Sequence, residues 1–273
     1  MPDYYNIITD VDLSIVESIA NVLEIRAADP EQRRMLDAYL AQIDFPDQAR
    51  VLEIGAGTGA VTRYLASHPK VASVTGLDPS PAFVATARQL GDGIPGLDFV
   101  EGSAHALPFA ADTFDVIIFH TTLCHLSEPA NALAQAARVL KPGGWLAVFD
   151  GDYASTTFGT GDLDPLQICA ESFREYFIDD SWVGRLTPKL ARQAGFEPVS
   201  YRSHGYTESA CPNYMLTIVD RGADALAAHH QIGPELAAAL KGEARRRVDE
   251  HRFFGHISYT SLIARKPAEP TQH

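Results

Sequence analysis

Sulfur and tryptophan are scarce in this chain: 273 residues carry three cysteines, three methionines and two tryptophans. Cys124, Cys169 and Cys211 are too few and too widely spaced for a zinc cluster or a disulfide framework, so no metal is expected and a reducing cytoplasm is the default setting. Basic charge is also in deficit. Lys and Arg total 22 against 35 Asp and Glu, a formal net charge of −13. Such a field repels phosphate backbones, so neither nucleic acid nor an anionic membrane is expected as a partner. Arg245-Arg246-Arg247 is too short to reverse it. No apolar run approaches the roughly 18 residues of a membrane span. The N-terminal MPDYYNIITDVDLSIVESIA carries acids where a signal peptide carries Lys or Arg. Internal repeats and low-complexity tracts are absent.

What is present is the composition of a folded protein, 46% hydrophobic and 21% charged, with length enough for a sizeable core. Residues 1–49 read as helical and amphipathic. Ile15, Ile19, Val22 and Leu23 recur at helical spacing, as do Met35, Leu36, Tyr39, Leu40 and Ile43, and Asp29-Pro30 starts the second helix. From Arg50 short apolar runs alternate with helical stretches: RVLEIG, VASVTGLD, LDFVEG, FDVIIFH and GWLAVFD as strands, with TGAVTRYLASH, PAFVATARQL and ANALAQAARVL between them. That alternation predicts an α/β fold, a mostly parallel, doubly wound sheet covered on both faces. After Asp150 the alternation breaks. Residues 151–184 read as irregular with one helix, followed by a helix over LTPKLARQAGF, a strand over EPVSYRSH, two helices within 209–251 and a final strand over HISYTSLIARK. This divides the chain into an N-terminal helical lid (1–49), a core (50–202 plus 256–267) and a helical cap insertion (203–255).

VLEIGAGTGAVT places Gly55, Gly57 and Gly59 at the first strand-to-helix turn, where glycine lets a ligand approach the backbone closely. In such sheets ligands sit at the carboxyl ends of the strands, beside the first one. Gly55-x-Gly57-x-x-Ala60 also satisfies a loose dinucleotide fingerprint, so a nicotinamide-dependent oxidoreductase stays open. Three further features favour another ligand. Glu53 is an acid where a pyrophosphate would be repelled. Asp78 ends the second strand at the distance of a ribose-binding carboxylate. GSAHALPF after the third strand offers Ser103 and backbone groups to an adenine edge, with Leu107 and Phe109 as apolar cover. Together they suit a nucleoside bearing an amino-acid tail, S-adenosylmethionine. Each has a structural alternative: a packing turn, a helix cap at Asp78, and a local hydrogen bond at Glu53.

Through VLEIGAGTG, LDPS, GSAHALPF, FDVIIFHTTLCHL and ARVLKPGGWLAV, residues 50–150 resemble a class I S-adenosylmethionine-dependent methyltransferase, similar to the ubiquinone and menaquinone C-methyltransferases. The resemblance implies a seven-stranded Rossmann-like sheet of order 3-2-1-4-5-7-6 with strand 7 antiparallel, and release of S-adenosylhomocysteine as product. It implies that Gly55, Gly57 and Thr58 hold the methionine end, with Ala56 in the same turn. Asp78, beside Pro79, takes the ribose, Ser103 and Ala104 the adenine, and Arg26 the cofactor's carboxylate. His120 would lie beside the sulfonium. Two departures stand out: Ser103 replaces the commoner Asp or Asn, and His120 replaces a small or amide residue.

The expected reaction is methyl transfer to an O, N or C nucleophile of a small molecule, a secondary metabolite. The alternative is an S-adenosylmethionine-assisted rearrangement without methylation. His120, then His125, are the candidate bases, because histidine titrates near neutrality; the competing role for each is shaping the pocket or bonding a loop. Asp150 and Asp152 are alternative bases or anchors, and His105 is expected to be exposed. Tyr4, Tyr5, Tyr153, Phe158, Phe173, Tyr176, Phe177, Tyr206, Tyr214 and Phe254 suggest a fairly apolar or aromatic acceptor. Oligomeric state, monomer or homodimer, has no signal.

Overall fold

The computed structural model describes residues 13–268; Tyr4 and Tyr5 lie outside them. Two helices come first, α1 (Leu13–Ala28) and α2 (Pro30–Leu40). Asp29 caps α2 by accepting from the N–H groups of Glu31 and Gln32, both at 2.9 Å, and Pro30 supplies the first-turn residue that needs no donor. The α/β core follows: β1 (Ala49–Ile54), α3 (Ala60–Ala66), β2 (Val71–Asp78), α4 (Pro81–Leu90), β3 (Leu97–Glu101), β4 (Phe114–His120), α5 (Pro129–Val139) and β5 (Leu140–Thr157). The remaining elements are α6 (Gln167–Phe177), α7 (Val183–Gln193), β6 (Glu197–Glu208), α8 (Tyr214–Ala228), α9 (Pro234–Asp249) and β7 (Gly255–Arg265).

All seven strands form one sheet of order β3-β2-β1-β4-β5-β7-β6. β1 pairs in parallel with β2 and β4, and β7 runs antiparallel to both β5 and β6. The doubly wound sheet and its reversed β7, inserted between β5 and β6, match the expected fold. Val51, Leu52, Ile54 and Ile117–Phe119 are buried, as helices on both faces require. α8 and α9 lie in the chain between β6 and β7.

Past Asp150 the structure departs from expectation. β5 does not end there but runs on to Thr157, because Asp150 to Asp152 pair with Thr260 to Ser258 of β7. An antiparallel partner more than a hundred residues downstream leaves no local mark in the sequence. Asp150 and Asp152 are accordingly structural. Asp150 is fully buried and accepts from the N–H groups of Gly151 at 2.9 Å and Cys124 at 3.3 Å. Both oxygens of Asp152 are held by Arg185, at 2.9 and 2.8 Å. No helix among the described residues is long and apolar enough to cross a membrane.

Candidate active site

β1 leaves the sheet at Ile54 and turns at once. Gly55 and Gly57 take φ of 76° and 53°, in the left-handed region. A Cβ at Gly55 would run into the Thr122 side chain, and one at Gly57 would come within 2.8 Å of Leu23. The turn is tied to the end of β2. Gly55 and Ala56 donate their N–H groups to the Leu77 carbonyl at 2.7 and 3.0 Å, and Gly57 donates to Asp78 Oδ2 at 2.8 Å.

Asp78 also accepts from Ser80 N–H at 3.0 Å through Oδ1, while Ser80 Oγ caps α4 by accepting from Phe83 N–H at 3.3 Å. The capping role therefore falls to Ser80, which leaves Asp78 to the glycine turn. Burial pushes the Asp78 carboxyl up to about 6, against the lowering effect of its two backbone donors. Glu53 is buried beneath the turn and hydrogen-bonded by the Thr62 hydroxyl. Burial pushes it up to about 8; the Thr62 bond opposes the rise and the neighbouring Asp78 adds to it. At neutral pH Glu53 keeps its proton.

A cavity of about 230 Å³ lies along these strand ends and is lined by the residues expected to hold the cofactor and by His120 and His125, but not by Leu107 and Phe109, the expected adenine cover, nor by Asp150 and Asp152. α1 contributes Arg26, whose charge acts on both Glu53 and His120. Glu53 and the run Gly55 to Thr58 come from β1 and its turn, Asp78 and Pro79 from β2, and Ser103 and Ala104 from the loop after β3. His120 and His125 close the far end. His105 corrects its expectation: it is only half-exposed, lines the same cavity, and has a buried Nε2 without a partner.

His120 is held from two sides. Its Nδ1 lies 3.1 Å from the Tyr39 hydroxyl, and its ring stacks on Phe149 at 4.8 Å and 16°. Phe149 in turn stacks on Tyr39 and Tyr259. Burial first, and the Arg26 charge second, hold the imidazole well below its usual value, so it is neutral at physiological pH. Thr121, next in the chain, has φ of 54°, an uncommon conformation for a threonine. It turns the chain into the 3₁₀ segment Leu123–His125, where Thr122 Oγ1 donates to the Ile54 carbonyl at 3.1 Å.

Several lining residues escaped the sequence reading: Gln32, Arg33, Leu36, Tyr64 and Thr122. Gln32 is the most informative. It sits 5% exposed on the buried stripe of α2, its amide nitrogen donating to the Tyr259 hydroxyl at 3.3 Å while its Oε1 is buried with no partner. A polar residue three before Met35 and seven before Tyr39 was the available signal. Of the aromatic residues, Tyr153, Phe173 and Tyr214 line a second, smaller cavity of about 30 Å³ that shares Arg26, Thr121 and His125 with the first. Phe158 and Tyr206 are fully buried core residues instead.

Comparison with known proteins finds methyltransferases. Residues 52–148 match a family described as a methyltransferase domain. A phthiotriol/phenolphthiotriol dimycocerosates methyltransferase of Mycobacterium leprae is 38% identical over 134 residues, covering 47% of this chain and 48% of that protein. A ubiquinone/menaquinone biosynthesis C-methyltransferase of Roseobacter denitrificans is 29% identical over 176 residues, 56% of this chain and 68% of that one. These two alignments span from about half to two thirds of the relatives' own lengths. Among solved structures, the 4+2 cyclase SpnF superposes with a TM-score of 0.56 at 25% identity, covering 87% of this chain and 82% of that one.

S-adenosylmethionine is the cofactor of this family. The residues present fit it. Thr58 is 1% exposed and its Oγ1 has no partner, beside a glycine turn that leaves the backbone open to an amino-acid group.

Proposed function

We propose, from the premise that residues 52–148 belong to the class I S-adenosylmethionine-dependent methyltransferases, that this chain transfers a methyl group to an O, N or C nucleophile of a small, fairly apolar molecule, a secondary metabolite. The observation that carries this reading is the pair of buried acids, Glu53 and Asp78, joined to the glycine turn in one cavity. At neutral pH Asp78 is ionised and Glu53 still holds its proton. The site therefore opposes a pyrophosphate through Asp78 and attracts a ligand bearing an ammonium and a sulfonium, which also favours ionisation of Glu53. That charge favours S-adenosylmethionine over a dinucleotide.

When bound, S-adenosylmethionine supplies a sulfonium methyl, which a nucleophile attacks from the side opposite sulfur as the C–S bond breaks. The chain's residues do the rest. Arg26 pairs with the cofactor's carboxylate, Gly55 to Thr58 bind its amino-acid end, and Asp78 takes the ribose hydroxyls through lone pairs not used by Gly57 and Ser80. Pro79 flanks the ribose, and Ser103 and Ala104 meet the adenine. His120 receives the acceptor's proton at Nε2 when the nucleophile arrives protonated. That requires Nδ1–H to donate to the Tyr39 oxygen, making Tyr39 a positioning residue. An imidazolium beside a sulfonium would be costly, but transfer removes the sulfonium charge as the imidazole gains one. His125 stands behind His120 as second base. Gln32 Oε1 accepts from the acceptor's O–H or N–H. The helices outside the sheet core, α1 and α2 before β1 and α8 and α9 between β6 and β7, act as lid and cap and choose the acceptor; β6 runs on to Glu208, so the cap begins later than the expected residue 203. Alignment of nucleophile and methyl supplies much of the rate, up to ~7–11 kcal/mol in favourable cases.

The likeness to the 4+2 cyclase favours one second reading, in which the bound cation promotes a rearrangement and no methyl moves. The test is an acceptor screen across phenols, hydroquinones, carboxylates and amines, read as S-adenosylhomocysteine formed. Product formation supports transfer, and conversion of an acceptor without it supports the rearrangement. His120→Gln is expected to cut turnover far more than cofactor affinity; equal losses would make His120 a binding residue.

A further inference from the structure

The outer face of α7 is unlike the rest of the surface. Its inward residues Val183, Gly184, Thr187 and Ala191 are buried, while Trp182, Arg185, Leu186, Lys189 and Arg192 form an exposed stripe at helical spacing. Trp182 and Leu186 are 53% and 43% exposed. β6, the edge strand beside α7, adds Val199 at 59% and Tyr201 at 43%. The pieces are joined: the Arg185 guanidinium lies 4.5 Å over the Trp182 ring, and the Tyr201 hydroxyl donates to the Gly184 carbonyl at 3.0 Å. Half of the large apolar side chains exposed among the described residues are on this one face.

Charge sets it apart as well. α7 holds Arg185, Lys189 and Arg192 and no acid, in a chain whose net charge is −13. Lys189 and Arg192 make no ion pair among the described residues; Arg185 pairs with Asp152. The cations of α9, by contrast, are matched: Lys241 with Asp224, Arg245 with Asp220, and Arg247 with Asp164. Unmatched cations set among an exposed Trp, Tyr, Leu and Val are what the headgroup layer of an anionic bilayer accommodates, rings and aliphatics at the interface and cations on the phosphates. The overall negative charge does not forbid this, since at physiological ionic strength fields fade over about 8 Å and only the facing residues count.

We propose that the α7–β6 face docks on an anionic lipid surface. Reading the acceptor as an apolar small molecule gives this docking a purpose, and the position of the face agrees with it. Trp182 N–H donates to Asp180 Oδ1 at 2.8 Å, and the N–H groups of Asp179 and Asp180 donate at 3.0 Å to the carbonyl of Cys124, next to the cavity-lining His125. Trp182, at the start of the docked face, is thus joined through Asp180 and Cys124 to the segment that carries the cavity-lining His125.

The test is co-sedimentation with vesicles of phosphatidylcholine alone and with about a third phosphatidylglycerol, alongside tryptophan emission. Trp145, the chain's other tryptophan, is buried with its N–H on the Asp44 carbonyl at 3.0 Å, so Trp182 is the reporter. Anionic vesicles are expected to carry down the protein and blue-shift Trp182, and pure phosphatidylcholine to do neither. Each of Lys189→Glu and Arg192→Glu should weaken partition about fivefold or more, while the α9 variant Arg245→Glu leaves it unchanged. Unaltered melting curves separate lost docking from lost fold. No sedimentation, or equal loss in Arg245→Glu, overturns the proposal. So does a stable dimer in ultracentrifugation that Trp182→Ala dissociates, because the face would then belong to a second copy. S-adenosylmethionine binding, measured separately, decides the proposed activity independently of this outcome.

Discussion

Thr58 puts a hydroxyl where nothing among the described residues receives it. A buried polar atom without a partner costs free energy until a ligand takes it up. Thr58→Val keeps the shape and removes the hydroxyl, so it is expected to weaken S-adenosylmethionine binding about fivefold to tenfold without lowering the melting temperature; unchanged affinity in calorimetry would remove Thr58 from the site. Tyr39 makes a second residue-scale case. Tyr39→Phe leaves the stack on Phe149 but removes the oxygen 3.1 Å from His120 Nδ1. Turnover should fall about tenfold, within the range of a misplaced general base, with cofactor affinity kept within about twofold. Loss of affinity instead would mean that Tyr39 supports the cavity and not the base. Neither role was legible in the sequence, for a plain reason: Tyr39 and His120 are 81 residues apart, and no local pattern records which of two distant side chains will face each other.

At the scale of elements, the legible parts were those with local causes. Buried parallel strands need apolar runs, and the helices between them need a stripe, so β1 to β4 and α3 to α5 could be read from periodicity. The glycine turn was legible because positive φ selects glycine. β5 beyond Asp150 was not, since its length is set by β7. α2 is the element through which stability reaches the site: it carries Gln32, Leu36 and Tyr39 and is started by Asp29. Asp29→Ala should cost about 1 kcal/mol in urea unfolding and, by fraying the turn that holds Gln32, raise the acceptor's KM more than it lowers kcat. A stability loss with no change in KM would uncouple α2 from acceptor binding. α1 is fastened differently. Arg63 of α3 bonds the Thr58 carbonyl at 2.6 Å and Glu24 of α1 at 2.8 and 3.0 Å, so one guanidinium links lid and glycine turn.

For the whole molecule, ligand charge and proton balance are linked. Glu53 titrates at about 8 and Asp78 at about 6 in the folded protein, above ordinary values of 4.5 and 3.8. A raised carboxyl pKa means the folded state binds the proton more tightly than the unfolded chain. These groups therefore favour folding below about pH 4, and that contribution is lost as pH rises through 6 and then 8. A cationic ligand reverses the cost by stabilising the ionised carboxylates, so affinity should rise across the same window. Calorimetric titration of S-adenosylmethionine at pH 7, in two buffers of different ionisation enthalpy and beside NAD as competitor, tests this most directly. The predicted result is binding with release of close to one proton, a release that Glu53→Gln abolishes, no comparable binding of NAD, and loss of binding when Gly57→Val and Asp78→Ala are combined. Preference for NAD, or undiminished S-adenosylmethionine affinity in the double variant, would contradict it.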